Sequence, residues 1–243
     1  MQVDLFQEFT DFSDKKVLIG LSGGINSMAV LCQLADYPSR LKPKELHLFY
    51  VHFKEHSEDT MKFVHAGVRY ARKHFNNVKY FFTKNSINDY FRKKNFIPHP
   101  RISPCSKELK IIPITTHTHT HTIDFDLIGY VREEKRRMER QINLGAVNKV
   151  YLIAELTNEE CFDIVKEQIG WYPKIYDIRE NGKRVFKHNN CLPCKNMSEK
   201  DLQNVGKYFP KLASIANDTA KQIGKYWGSE DSEIKIDCKV CEW

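Results

Sequence analysis

Ser22-Gly23-Gly24-Ile25-Asn26-Ser27 brings together a glycine pair, two hydroxyls and an amide, the residue types that let a main chain wrap an anion. Glycine allows close approach of backbone to an oxyanion. A helix opening directly afterwards presents free N–H groups and the positive end of its dipole. Ser22 and Ser27 can add hydroxyl donors. On this reading Ser22, Gly23, Gly24, Ile25, Asn26 and Ser27 hold phosphates, although a tight turn also asks for glycine on conformational grounds alone.

A second chemistry is offered by cysteine. The chain has seven, four of them in two C-x-x-C pairs, Cys191/Cys194 and Cys238/Cys241. Four thiolates can enclose Zn²⁺ tetrahedrally or hold an iron–sulfur cluster, provided the chain between the pairs folds back. The alternatives are two unrelated pairs, or a redox dithiol at Cys238/Cys241. Thr116-His117-Thr118-His119-Thr120-His121-Thr122 alternates strictly, so in a strand its three histidines would share one face within reach of a metal. An exposed edge strand or a loop is the plainer expectation, since no carboxylate or second ligand cluster lies nearby in sequence. Cys32 and Cys161 fall in apolar periodic segments and read as core.

These groups need a scaffold. Residues 16–21 are a short apolar run ending at the glycine turn, and residues 28–34 read as a buried helix, which gives strand, loop, helix. Residues 45–53 and 78–82 are β-rich, with helical spacing over 57–75 between them. Residues 124–130 and 150–154 are further candidate strands, and the charged stretch 132–140 is a candidate helix start. Thr157-Asn158-Glu159-Glu160 is a capping box for a helix through 169. Strands alternating with helices imply a parallel sheet covered on both faces. From 171 the character changes: prolines, both cysteine pairs and one amphipathic helix over about 198–226. The expected organisation is an α/β nucleotide-binding domain, 1–170, and a cysteine-bearing module, 171–243.

The loop hexapeptide resembles the Ser-Gly-Gly-x-Asp-Ser signature of the PP-loop ATP pyrophosphatase superfamily, with Asn26 where that family carries aspartate. Segments farther on resemble the phosphoadenosine phosphosulfate reductase-like branch, in its order: residues 55–64; Pro104-Cys105 through Pro113; Ile128-Gly129-Tyr130-Val131-Arg132-Glu133-Glu134; Tyr176-Asp177; Cys191-Leu192-Pro193-Cys194; and Tyr208-Phe209-Pro210. Val131 and Lys135 replace the arginine and serine of the family's Ile-Gly-x-Arg-Arg-Glu-Glu-Ser.

The resemblance implies a Rossmann-like fold of the adenine nucleotide alpha hydrolase type, an adenine nucleotide with Mg²⁺ at the loop, and transfer of an adenylyl or sulfur-bearing group. It also implies oxyanion-binding or catalytic roles for Arg132, Arg136 and Lys110. Read without it, Arg136, Arg137 and their acidic neighbours are a solvated helix face. Some members of the family hold a [4Fe–4S] cluster with cysteines matching Cys105, Cys191 and Cys194, so that cluster and a four-cysteine Zn²⁺ site both stay open. The reductases' Glu-Cys-Gly-Leu-His tail has no counterpart in the chain, whose nearest approach is Cys241-Glu242-Trp243. Reduction of an activated sulfate is therefore the lesser expectation, beside a nucleotide-sensing protein that has lost catalysis.

A net charge of +7 over 243 residues suits polyanionic partners, a nucleotide first and nucleic acid second. Sulfur transfer would add a sulfur donor protein. No apolar run approaches the roughly 20 residues of a membrane span, and Met1-Gln2-Val3-Asp4 opens without a signal pattern, so a cytoplasmic location without membrane contact is the expectation.

Overall fold

The computed structural model describes residues 10–97, 103–145, 148–227 and 233–236. Cys238 and Cys241 lie outside the described residues. The chain divides into two compact units that interleave along the sequence. One comprises residues 1–50, 62–81 and 117–172, the other 51–61, 82–116 and 173–243. Residues 51–61 and 82–116 thus group with the C-terminal part of the chain.

The first unit is α/β, built on a five-stranded parallel sheet in the order β3-β2-β1-β4-β5. Its strands are β1 (Lys16–Gly20), β2 (Glu45–Phe53), β3 (Val78–Asn85), β4 (Phe125–Leu127) and β5 (Lys149–Val150); β2 and β3 run on into the second unit. Val17, Leu18 and Ile19 at the centre of β1 have no solvent exposure, as expected of a strand covered on both faces. α1 (Ile25–Ala35) follows β1 and packs on α7 (Asn158–Ile169), placing Cys32 and Cys161 in the core. α2 (Thr60–His74) approaches α1 so closely that a methyl group on Gly67 would strike the Met28 side chain. α6 (Lys135–Asn143) follows β4 after a short turn.

In the second unit, α3 (Ile87–Lys94) packs against α9 (Pro210–Ile223), which pairs with α8 (Glu199–Tyr208). The single-turn α4 (Pro104–Ser106) leads through a π-helical turn, Lys107–Ile111, into α5 (Ile112–His121), whose residues from His117 belong to the first unit, and a two-stranded ribbon is formed by β6 (Arg179–Glu180) and β7 (Lys183–Arg184).

Three expectations need correction. Residues 150–154 are not a strand: β5 ends at Val150 and turns follow. The single helix over 198–226 is two, because Pro210 has no N–H to continue α8 and instead occupies the first turn of α9, where none is needed. The Thr/His alternation is helical, so His117 and His121 share a face as an i, i+4 pair and His119 does not.

The capping box forms as read. Thr157 Oγ1 accepts from Glu160 N–H at 3.3 Å while Glu160 Oε2 accepts from Thr157 N–H at 2.7 Å. Thr157→Ala is expected to cost about 1 kcal/mol, read as a lower urea midpoint with unchanged slope.

Candidate functional site

The glycine loop sits where β1 ends and α1 begins. Gly23 has φ +80°, in the left-handed region that favours glycine, and Gly24 caps α1 in an extended conformation with no side-chain hydrogen bond to the helix. No acidic residue occupies the first turn of α1. The first turn therefore supplies no counter-charge to the positive end of the helix dipole.

The serines brace the loop from inside. Ser27 Oγ donates to the Gly24 carbonyl at 3.1 Å and accepts from Ser22 N–H at 3.1 Å, while Ser22 Oγ accepts from Gly24 N–H at 3.2 Å. The two hydroxyl oxygens lie 3.1 Å apart. The two hydroxyls thus hold the loop in shape.

Gly129, just beyond the end of β4, presses on the same loop. A Cβ there would lie 3.2 Å from the carbonyl carbon of Asn26 and 3.3 Å from its oxygen and from Ser27 N. The Ile128-Gly129 motif is therefore needed for contact with residues 26 and 27. Gly129→Val is expected to push residues 26 and 27 out of place, measured as a lower urea midpoint, with the far-ultraviolet dichroism of the fold retained.

The arginines have separate partners. Arg132 donates to the Glu155 carbonyl, its backbone N–H to the Leu156 carbonyl at 2.8 Å. Arg137 pairs with Glu134 one turn back and covers the Tyr130 ring at 4.8 Å. Arg136 is exposed on α6. Lys110 belongs to the other unit, its ammonium 5.3 Å from the Phe53 ring centroid.

In that second unit, Cys105, Cys191 and Cys194 come within electrostatic range of one another. Burial pushes the Cys191 thiol up to about 12, Cys194, Glu55 and Cys105 adding to the rise and Lys110 opposing it. Burial raises the Cys105 thiol too, with Cys194 next in effect. The Cys105 and Cys191 thiols are protonated at neutral pH, and a soft cation would have to displace their protons, aided by Lys110. Among the described residues no three such groups are already arranged around a metal centre.

Glu55 organises this unit. Its buried carboxylate accepts from Ser86 Oγ at 2.6 Å, Ile87 N–H at 2.9 Å and Asn88 at 3.1 and 3.3 Å, fixing the start of α3. Its carbonyl accepts from Leu192 N–H at 2.8 Å, which sets the C-x-x-C turn. Ser57, Thr60 and Asn189 form a buried hydroxyl–amide cluster, and Asn189 N–H donates to the Tyr176 hydroxyl at 3.1 Å. The sequence landmarks around 55–60, 176 and 191 are thus joined by hydrogen bonds.

Three solved structures have a similar chain trace. The U34-tRNA thiolase NcsA from Methanococcus maripaludis, described with its [4Fe-4S] cluster, is 14% identical at a TM-score of 0.49, over 98% of this chain and 79% of that one. NMN synthetase from Francisella tularensis is 14% identical at 0.43, over 87% of each chain. Glutamine-dependent NAD⁺ synthetase from Acinetobacter baumannii, in complex with ADP, is 11% identical at 0.43, over 93% of this chain and 44% of that one. No protein-family model matches the chain, and no curated protein does. The chemistry of the site rests on its own residues.

Two arrangements are not evident from the sequence. Glu55 is visible there only as part of a matching segment, although Ser86 three residues before Asp89 marks a helix start that a neighbouring carboxylate can complete. His47 sits in the middle of an apolar strand run and belongs to no motif. It is fully buried and hydrogen-bonded to His117, and a histidine at such a position calls for a polar partner. No helix among the described residues is long and apolar enough to cross a membrane.

Proposed function

We propose that the chain is an ATP-dependent transferase that binds the nucleotide phosphates on the Ser22–Ser27 loop and activates an acceptor by adenylylation, with sulfur transfer to nucleic acid as the favoured outcome. The observation that carries this reading is the uncapped start of α1, held by Ser22 and Ser27 and backed by Gly129. Backbone N–H groups of residues 25–27, the first turn of α1, would hold the β and γ phosphates. An acceptor oxygen attacks the α-phosphorus, a new P–O bond forms, and the bond to the β,γ-pyrophosphate breaks with its electron pair leaving on the pyrophosphate. The loop stabilises that leaving charge with donors that need no reorganisation. Mg²⁺, when bound, would neutralise phosphate charge, and the Asn26 amide oxygen offers it an acceptor in place of a carboxylate.

In this proposal Arg132 and Arg136 supply oxyanion contacts for substrate, and Lys110 keeps positive charge beside the cysteines. Cys105, Cys191 and Cys194 would hold a [4Fe–4S] cluster with one iron open. With Cys238 and Cys241, Cys191 and Cys194 would instead hold Zn²⁺. The donor set fits either: soft thiols, mutually coupled, with a lysine favouring the thiolate form. A cluster, when bound, supplies an iron able to hold sulfide delivered by a sulfur donor protein; zinc braces the fold. Nucleic acid as acceptor accords with the net charge of +7, and a soluble cytoplasmic setting with all of these partners.

A second reading, a nucleotide sensor without catalysis, is motivated by Asn26. Incubation with Mg-ATP and assay of AMP and pyrophosphate separates the two. The transferase reading expects product from the wild type and a rate about tenfold higher in Asn26→Asp, equivalent to roughly 1.4 kcal/mol of transition-state stabilisation. Product from Asn26→Asp alone would sink it in favour of the sensor. Iron, sulfide and zinc analysis of anaerobically purified protein decides between cluster and zinc.

A further inference from the structure

In the first unit, away from the glycine loop, four titratable side chains from β2 and α5 stand in contact. His47 Nε2 lies 2.5 Å from Glu45 Oε1, and His47 Nδ1 lies 2.9 Å from His117 Nε2. The second oxygen of Glu45 accepts from Lys79 Nζ at 2.9 Å and Asn77 Nδ2 at 3.0 Å, which keeps the carboxylate ionised. An ionised carboxylate only accepts. The His47 proton is therefore on Nε2, and Nδ1 turns a lone pair toward His117. Burial lowers the pKa of both imidazoles, that of His117 to about 4, so this neutral pattern holds at physiological pH.

One turn along α5, the His121 ring lies 4.2 Å from that of His117 and 5.2 Å from that of His47, centroid to centroid, and His121 is partly exposed. Phe81 flanks all three rings at 4.4–5.3 Å.

We propose that His47, His117 and His121 form an inducible site for a divalent transition cation of the Zn²⁺ type. The three are hydrogen-bonded and stacked rather than opened around a centre, which is why no ready-made metal group stands there among the described residues. The rearrangement required is small. Two imidazole nitrogens on a tetrahedral ion, at bonds of about 2.0–2.1 Å, stand roughly 3.3 Å apart, so the His47–His117 pair must open by about 0.4 Å. His117 moves its proton from Nε2 to Nδ1 and remains neutral. His121 turns from its partly exposed position to give the third nitrogen, and water completes the shell. Glu45 accepting from the far nitrogen of His47 is the outer-shell carboxylate that orients ligating histidines and raises their basicity. The aromatic wall limits the site to a small ion.

The test uses the full chain titrated with Co²⁺ alone. A histidine site gives visible d–d absorption without the sulfur-to-cobalt charge transfer of thiolate ligation, so the cysteines are told apart. The site predicts about one equivalent of such cobalt, affinity at least tenfold lower in His117→Gln and in His121→Asn, and no change in His119→Asn. His121→Asn, at a partly exposed position, keeps the test decisive even where His117→Gln fails to fold. No histidine-type spectrum in the wild type overturns the proposal, as does His121→Asn binding like the wild type or His119→Asn losing as much affinity as His121→Asn.

Discussion

Gly23→Val is expected to abolish useful ATP binding while leaving the fold intact. At φ +80° the backbone sits where an L-residue pays roughly 1–2 kcal/mol, and a β-branched residue more. A loop that relaxes out of this conformation no longer presents the N–H groups at the start of α1 as the proposal requires, which predicts an affinity at least about 100-fold lower, near 2.7 kcal/mol. Calorimetric titration beside a dichroism spectrum reads both halves. Affinity within a few-fold of wild type would mean that nucleotide binds elsewhere.

Gly206→Ala carries the largest expected effect on stability. A Cβ at this position on α8 would overlap the Lys235 carbonyl oxygen and press on the Ile234 side chain, and a backbone carbonyl cannot swing aside as a side chain can. Ile234 is 2% exposed and exchanges two hydrogen bonds with the buried Asn217 side chain, at 2.9 and 3.1 Å. Undocking residues 233–236 gives up about 1.5–3 kcal/mol of apolar burial and leaves the Asn217 amide to find other partners. The variant should be cleaved by protease in this segment at least about tenfold faster. Metal content measured on the same sample reports on the tail cysteines. Zinc falls if Cys238 and Cys241 are ligands, whereas iron held by Cys105, Cys191 and Cys194 stays.

What could be read from sequence was local. The apolar run of β1, the glycine turn and the Thr157 capping box each depend on a few adjacent residues, and each stands where its pattern placed it. The Thr/His alternation misled because a period of two is the strand signature. Here the burial of His117 against His47, Phe49 and Phe81 outweighs the β-propensity of threonine, and the segment is helical. The interleaving of the two units was not legible either. It depends on residues such as Glu55 and Leu192, or Ser57 and Asn189, that meet from more than a hundred positions apart. For the site, the glycine turn between β1 and α1 was legible because its residues are adjacent in sequence. The bracing roles of Ser22 and Ser27 and the pressure of Gly129 on Asn26 were not, since each depends on side-chain direction or on a contact between distant strand ends.

The proposed phosphate binding by the backbone N–H groups of residues 25–27 can be read at the atoms concerned, by amide hydrogen exchange with and without Mg-ATP. Exchange is expected to slow at residues 25–27, and this protection is expected to be lost in Gly23→Val. Unchanged exchange at 25–27, with ATP-dependent protection in another segment of the chain, would show that the loop is not the nucleotide site.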